Sequence, residues 1–338
     1  MRVTFIADPG LPVPPLGYGG AERNAALICA ELARRGHQVR LLAGPGSSNY
    51  GELWPHRAPD ATFPSRAYRK ILFQLLSLRA MVDTDVVHNI GRIDYLWSLF
   101  RTRTPIVLTF QNHTTRQELL SLAMRRDRLA LVSPSDSYRQ GLPPDRWWTV
   151  YNAVDAERIP YRAQPAGDYV AFLGRLTANK GVHVAIQVAK AAGLPLRIAG
   201  NVSRESGGEE FFEREVRPQL GQQIEWIGEI NDEQKPDFLG NARALLFPIQ
   251  WEEPFGMVVA ESMAAGTPVV AMRRGAMPEV IEHGRNGFLC DTIDEMVAAT
   301  RRIDELDRAD CRRTCEERFS PRVIVDRYLD IYGTVMGQ

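Results

Sequence analysis

Short, uninterrupted apolar runs alternate with helical patterns along this whole chain, and the series runs through twice. Runs of four to seven residues without polar alternation mark strands buried on both faces, as in a parallel sheet covered by helices. The first series comprises VTFIAD (3–8), QVRLLAG (38–44), DVVHNI (85–90), PIVLTF (105–110), LALVS (129–133) and WTVYNA (148–153). A helical pattern from Gly20 to Arg35, with Leu27, Ala30 and Leu32 among its apolar positions, follows the first strand and stops at Gly36. The polar stretch 160–168 carries Pro and Gly and reads as a linker. The second series comprises YVAFLG (169–174), LPLRIAG (194–200), IEWIG (224–228), RALLFPI (243–249), PVVAM (268–272) and GFLC (287–290). The expectation is an α/β protein of two parallel-sheet domains, residues 1–160 and 168–318, facing each other across a deep cleft outside the carboxyl ends of their strands. Residues 319–338 form an amphipathic pattern around Val323, Tyr328, Leu329 and Tyr332. Two placements stand for it: crossing back to brace the first domain, or closing the second as a plain terminal helix.

A length of 338 residues suits two domains of about 150 residues each. With 41 basic and 41 acidic residues the formal net charge is zero, and no basic stripe points to a nucleic-acid partner. Cys29, Cys290, Cys311 and Cys315 have no His cluster beside them, so reduced cysteines are expected rather than a metal site or disulfides. No apolar run reaches the length of a membrane span. The N-terminus MRVTFIADPG runs directly into a strand and lacks the form of a signal peptide. A cytoplasmic protein is expected, with peripheral membrane contact open because a lipid-linked acceptor would require it.

Three segments carry residue types suited to chemistry. In LGRLTANKG (173–181) a buried strand ends at Gly174, Arg175 and Lys180 follow, and Gly181 opens a helical pattern. A rigid guanidinium fork and a mobile ammonium together suit a diphosphate; solvated surface charge is the alternative. In GYGGAE (17–22), Gly17, Gly19 and Gly20 leave backbone amides uncovered before a helix, where an anion can approach. The pattern is neither the dinucleotide fingerprint nor a Walker loop. In WEEPFGMVVAESMAAG (251–266), Glu253 and Glu261 flank a Pro-Phe-Gly turn that opens a helix with Val258, Val259, Met263 and Ala264 as buried positions. Amides at Gly256 and Met257 are then open to a phosphate or sugar oxygen. Glu261, inside the helix, needs a partner, and a ribose diol supplies two hydroxyl donors. Glu253 is placed to accept from a hexose hydroxyl. The plain alternative makes Glu253 a favourable helix N-terminal charge and Glu261 a surface residue. His113, just beyond the strand 105–110, either donates to a sugar hydroxyl or packs. His88, inside DVVHNI, is either functional or a satisfied core histidine. No HExxH, Cys–His pair or GxSxG elbow appears, which argues against zinc and hydrolytic chemistry.

These landmarks together resemble the retaining glycosyltransferases of the GT4 type with the GT-B fold, built from two facing Rossmann-like domains. The resemblance rests on PPLGYGGAE (14–22), DVVH (85–88), VSPSD (132–136), VYNAVD (150–155), LGRLTANKG (173–181), WIGEI (226–230) and EEPFGMVVAESMAAGTPVVA (252–271). It implies that Arg175 and Lys180 bind a donor diphosphate and Glu261 the nucleotide ribose. Glu253 would hold the transferred sugar, with the amides of Phe255, Gly256, Met257 and Val258 around sugar and phosphate. Gly19 and Gly20 would approach the diphosphate from the first domain. No metal or other cofactor is implied: positive side chains and helix amides can take the leaving charge. The sequence departs from the pattern twice. Where the family usually has a T-x-H run, this chain has Thr109-Phe110-Gln111-Asn112, which leaves the grip on the sugar to Gln111, Asn112 or His113. Where Asn-Gly is usual, it has Asn152-Ala153.

The implied reaction moves a hexose from a nucleoside-diphosphate sugar to a hydroxyl of a small-molecule or lipid-linked acceptor. A UDP-sugar is favoured and GDP-mannose is open. Front-face attack would retain the anomeric configuration without a side-chain base; a double displacement through Glu253 is the alternative. A sugar-nucleotide epimerase or hydrolase on the same scaffold, and a non-catalytic sugar-nucleotide-binding protein, are the competing functions. First-domain loops 46–70 and 91–95 are expected to read the acceptor.

Overall fold

The computed structural model describes residues 1–17, 19–56, 65–92, 98, 102–111, 128–139, 147–203 and 207–337. The chain divides into two compact units, Met1–Ala153 with Pro321–Gln338, and Val154–Ser320.

The first unit holds strands β1 (Arg2–Ile6), β2 (Gln38–Ala43), β3 (Glu52–Pro55), β4 (Val86–Asn89), β5 (Ile106–Thr109), β6 (Leu129–Ser133) and β7 (Trp147–Thr149). They pair in parallel in the order β3-β2-β1-β4-β5-β6-β7. Helices α1 (Gly20–Arg34) and α2 (Ser65–Ala80) belong to the same unit. Successive residues of each strand point to opposite faces, so both faces carry a core. Val3, Phe5, Leu41 and Val107 pack with Ile28 and Leu32 of α1. Ile6, Leu42, Val87 and Leu108 pack with Phe73 and Ala80 of α2. Burying each such side chain contributes about 1.5–3 kcal/mol. Strand β3 lacks the apolar run of the others. Its sequence ELWP is half-exposed and ends in proline, which an edge strand tolerates. The segment 46–70, expected as acceptor-reading loop, thus contains β3 and the start of α2.

The second unit repeats the plan. Strands β8 (Val170–Leu173), β9 (Leu196–Ala199), β10 (Ile224–Trp226), β11 (Ala244–Phe247), β12 (Val269–Met272) and β13 (Gly287–Cys290) pair in parallel in the order β10-β9-β8-β11-β12-β13. The accompanying helices are α3 (Val182–Ala192), α4 (Gly208–Phe211), α5 (Lys235–Gly240), α6 (Met257–Ala264), α7 (Met277–Val280), α8 (Ile293–Arg301) and α9 (Arg308–Phe319). In α6 the positions Val259, Met263 and Ala264 are buried, while Val258, expected inside, is only half-buried. Arg308 at the head of α9 is buried, and its guanidinium donates to the carbonyls of Arg162, Gly240 and Ala242 and to Thr267 Oγ1 at 2.6–3.0 Å. Burial pulls its pKa down from the ordinary value. This one side chain ties the segment entering the unit to the α5–β11 turn.

Helix α9 stops at Phe319, and Pro321 starts α10 (Pro321–Met336), a position where a missing N–H costs nothing. Helix α10 packs on the first unit: Ile324, Val325, Tyr328, Ile331 and Tyr332 join the core around α1. Its hydroxyls meet a buried histidine. His88 Nδ1 lies 2.6 Å from Tyr332 Oη and its Nε2 lies 2.8 Å from Thr109 Oγ1, which in turn is 3.1 Å from Tyr328 Oη. Of the two roles open to it, His88 takes that of a satisfied core residue. All four cysteines are buried and free. Among the described residues no helix is long and apolar enough to cross a membrane.

Two outcomes follow from these buried polar groups. Burial lowers the His88 pKa to about 3, so the unfolded chain takes up its proton first, near an ordinary value of about 6.5. Stability from this group is therefore complete above pH ~6.5. It falls as pH drops towards about 3, by up to about 1.4 kcal/mol per pH unit. His88→Gln is expected to remove that slope from the difference between wild-type and variant urea-denaturation curves taken between pH ~6 and ~4. Arg308→Met leaves four acceptors unpaired and is expected to cost about 3 kcal/mol, read as a lower denaturation midpoint.

Candidate active site

In an open parallel sheet the ligand crevice lies beyond the carboxyl ends of the strands where their order reverses. In the second unit that place is between β8 and β11. The chain leaves β8 through Gly174 and half-buried Arg175, and reaches Lys180 in a single 3₁₀ turn before α3. It leaves β11 through Pro248, Trp251 and Glu253, and reaches Gly256 before α6. Two parts of the sequence separated by most of a hundred residues are thus delivered to one edge.

The two loops touch through their backbones. Gln250 N donates to Asn179 O at 2.8 Å. Gly181 has φ of +78°, and a Cβ there would lie 2.0 Å from Pro248 O; no other residue fits that approach. A third loop pins Glu253 from behind. Ala276 N donates to Glu253 O at 2.9 Å, and Gly275, at φ +55°, leaves room where a Cβ would stand 2.4 Å from Glu253 N and O. Gly275 N also donates to Glu252 Oε2 at 2.7 Å.

The result is a direct contact between two of the expected site residues. Lys180 Nζ lies 2.6 Å from Glu253 Oε2, with side-chain exposures of 15 and 12 %. Trp251 Nε1 donates to the same oxygen at 2.9 Å, and the Lys180 ammonium stands 4.9 Å from the Trp251 ring centroid. Both contacts add to the hold on the pair. Trp251 was not singled out from the sequence, although it stands two positions before Glu253.

Helix α6 opens with Gly256 in the left-handed region as its N-cap, with no side-chain cap. The first-turn amides of Met257 and Val258 therefore have no acceptor within the helix. Phe255 packs beneath, its ring 5.4 Å from that of Phe319. Glu261, one helix face further on, is buried and accepts from Lys235 Nζ at 2.9 Å. Lys235 also lies 3.1 Å from Asp232. Lys235 is the second residue that sequence reasoning missed. It opens α5, 26 positions from Glu261, and only the tertiary fold brings the two together.

In the first unit, Gly19 caps α1 without a side chain and Gly20 begins the helix. The first-turn residue Glu22 is buried, and burial, with Asp8 nearby, holds its pKa above the usual carboxylate range. Asp8 accepts from Arg92 Nε at 3.1 Å. Gln111, at the carboxyl end of β5, forms a two-way amide pair with Asn152. Its Nε2 donates to Asn152 Oδ1 at 2.9 Å, and its Oε1 accepts from Asn152 Nδ2 at 3.2 Å. Buried Asn24 of α1 completes the set, donating to Asn152 Oδ1 at 2.9 Å and accepting from Ala153 N at 2.8 Å. Thus both departures from the family pattern, Gln111 and Asn152-Ala153, belong to one network. Asn112 and His113 lie outside the described residues. Among the described residues no group of three or more His, Cys, Asp or Glu gathers where it could hold a metal ion.

Comparison with known proteins matches two family models end to end. Glycosyltransferase Family 4 covers residues 18–158, and Glycosyl transferases group 1 covers 155–317. The phosphatidyl-myo-inositol mannosyltransferase of Mycolicibacterium smegmatis is 27 % identical over 386 aligned positions, spanning 100 % of this chain and 95 % of that protein. Among solved structures, AviGT4, a glycosyltransferase involved in avilamycin A biosynthesis, superposes with a TM-score of 0.73 at 25 % identity, covering 99 % of this chain and 98 % of its own. Anabaena Alr3699/HepE in complex with UDP and glucose superposes with a TM-score of 0.76 at 17 % identity, covering 99 and 100 %, a likeness of fold. Two parallel-sheet units of Rossmann-like order, matched in succession by these two family models, place the chain in the glycosyltransferases of the GT-B fold, related to family 4 and group 1.

Proposed function

We propose that this glycosyltransferase moves a hexose, with retention, from a nucleoside-diphosphate sugar to a hydroxyl of a small-molecule or lipid-linked acceptor, and that the second unit carries the donor. A UDP-sugar is the favoured donor. The observation that carries this assignment is the gathering of Arg175, Lys180, Glu253 and the open amides of α6 at the carboxyl ends of β8 and β11. The Alr3699/HepE structure with UDP and glucose supports the donor class. The mannosyltransferase relative, named for a phosphatidyl-inositol, supports a lipid-linked acceptor and keeps GDP-mannose open.

Chemically, the bond from the anomeric carbon to the β-phosphate oxygen breaks, and negative charge grows on that phosphate. Arg175, Lys180 and the amides of Met257 and Val258 stabilise the charge, which is the work a metal ion performs in other transferases. The acceptor hydroxyl attacks from the face the phosphate leaves and passes its proton to the departing oxygen. Glu253 holds sugar hydroxyls and Glu261 the ribose diol. In the unliganded chain Lys180 neutralises Glu253 and Lys235 neutralises Glu261, so neither carboxylate is left as an isolated buried charge. A diphosphate then replaces one anion by another at Lys180. In the unliganded chain Trp251 N–H donates to Glu253 Oε2; kept in the donor complex, this bond would hold Glu253 as a spectator carboxylate, which favours the front-face route over nucleophilic attack by Glu253.

Calorimetric titration with UDP- and GDP-sugars tests the donor assignment. Arg175→Ala is expected to weaken sugar-nucleotide binding about ten- to hundredfold with an unchanged melting temperature; unchanged affinity removes the diphosphate role. Trp251→Phe keeps a ring beneath Lys180 but loses the donor to Glu253. It is expected to lower kcat/KM about tenfold while affinity for the nucleoside diphosphate alone stays within about twofold. Equal loss of both would mean that Trp251 supports the diphosphate site instead.

A further inference from the structure

The turn from β12 to α7, residues 273–276, packs against the loop that carries Glu253. Gly275 and Ala276 make the contacts with Glu252 and Glu253 already described, and the rest of the turn is held as well. Arg274 N donates to Met272 O at 2.9 Å, and Met277 N donates to Arg274 O at 3.2 Å. A Cβ at Gly256 would lie 3.0 Å from Met277 Cε, so the start of α7 also abuts the N-cap of α6. Arg274 therefore stands on a fixed backbone, one residue from the glycine pressed against Glu253.

The turn carries two arginines, and they are used differently. Arg273 donates to Asp291 and to Leu289 O. Arg274 is exposed, and among the described residues its guanidinium has no partner. An acid is close by and is passed over: Glu252 is exposed too, yet its carboxylate accepts from Gly275 N at 2.7 Å and forms no ion pair with Arg274. Every other described Lys or Arg of the second unit engages a partner. A guanidinium offers five donors and no acceptor, and its fork fits a carboxylate through two parallel hydrogen bonds. In the donor reading, the diphosphate has Arg175, Lys180 and the amides of α6. Arg274 stands instead beside the residue given to the sugar. A carboxylate on that sugar would meet Glu252 and Glu253 as like charges, and a guanidinium in the adjoining turn offsets that repulsion.

We propose that Arg274 is a specificity-determining residue that selects a carboxylate on the transferred sugar, so that the donor is the nucleotide of a hexuronic acid. The inference rests on the donor reading given above and names the class of its sugar.

The test is calorimetric titration of the full chain with UDP, UDP-glucose, UDP-galactose, UDP-glucuronic acid and UDP-galacturonic acid. Wild type is expected to bind at least one uronic acid nucleotide about tenfold more tightly than its neutral counterpart. Arg274→Gln is expected to remove the preference, and Arg274→Lys to keep part of it, since a point charge remains without the fork. UDP alone is expected to bind all three proteins within about twofold, and their melting temperatures should coincide because the side chain is exposed. Should guanosine prove the bound base, GDP-mannose and GDP-mannuronic acid are the matched pair. Equal wild-type affinity for acidic and neutral sugars overturns the proposal, as does a preference that survives Arg274→Gln. A parallel loss of UDP affinity in that variant also overturns it, by placing Arg274 at the diphosphate. Wild type that binds no nucleotide at all overturns the donor reading itself, so the two failures read out separately.

Discussion

The meeting of the loops after β8 and β11 is the contact on which the proposed chemistry of the second unit depends. Its side-chain expression is the 2.6 Å pair of Lys180 and Glu253. A pair this far removed from water gains Coulomb energy but loses hydration, and such pairs often contribute little net stability. What holds this one is the surrounding structure. The indole face under the ammonium, the indole N–H on the carboxylate and the backbone contacts of Asn179, Gly181 and Gly275 all act on the same two groups. Such support is characteristic of a site in which geometry matters more than stability.

The second pair, Lys235 with Glu261, obeys the same logic one step further along α6. Glu253 and Glu261 are each matched in the unliganded protein to an ammonium from a different segment. In the proposed donor complex these cations face a choice between carboxylate and ligand. For Lys180 the choice is between two anions, so it can transfer its charge to a phosphate. Lys235 has no phosphate to meet at a ribose, and in that proposal its part is to hold Glu261 in place as a hydroxyl acceptor. The two lysines are thus chemically alike but differ in function through what the neighbouring backbone can hold.

Much of the fold was legible because buried strands leave apolar runs, and twelve of the thirteen strands overlap the expected runs, β7 only at 148 and 149. The exception, β3, is a half-exposed edge strand paired with β2, with Leu53 and Trp54 packed, only partly buried, against the cores. The local placement of the candidate residues was equally legible. Arg175, Lys180, Gly256 and the first-turn amides of α6 follow from a strand end preceding a helix. What escaped was everything that depends on distance in sequence: Lys235 reaching Glu261, the reciprocal amides of Gln111 and Asn152, and the hydroxyls of Tyr328 and Tyr332 around His88. Periodicity reports which way a side chain faces and never what stands opposite it. His88 illustrates the limit, since a histidine in an apolar run reads alike whether it meets a ligand or two hydroxyls.

The two units differ in how they keep polar groups at their strand ends. The second gathers full charges, matched in pairs. The first has, beside the Asp8–Arg92 pair and buried Glu22, a set of neutral amides in which Asn24 and Gln111 are both held by Asn152. An amide network does not titrate and incurs a smaller desolvation cost than an ion pair. It also leaves Gln111, which is half-buried, with one N–H and one carbonyl lone pair beyond those used by Asn152. A neutral donor–acceptor pair of that kind matches a hydroxyl, which gives and receives one hydrogen bond, and is a poor match for a phosphate. In the proposed reaction this difference sorts the chemistry before any ligand arrives: the paired charges of the second unit suit an anion, and the amide of Gln111 suits a hydroxyl without the pH dependence that an imidazole at that position would bring.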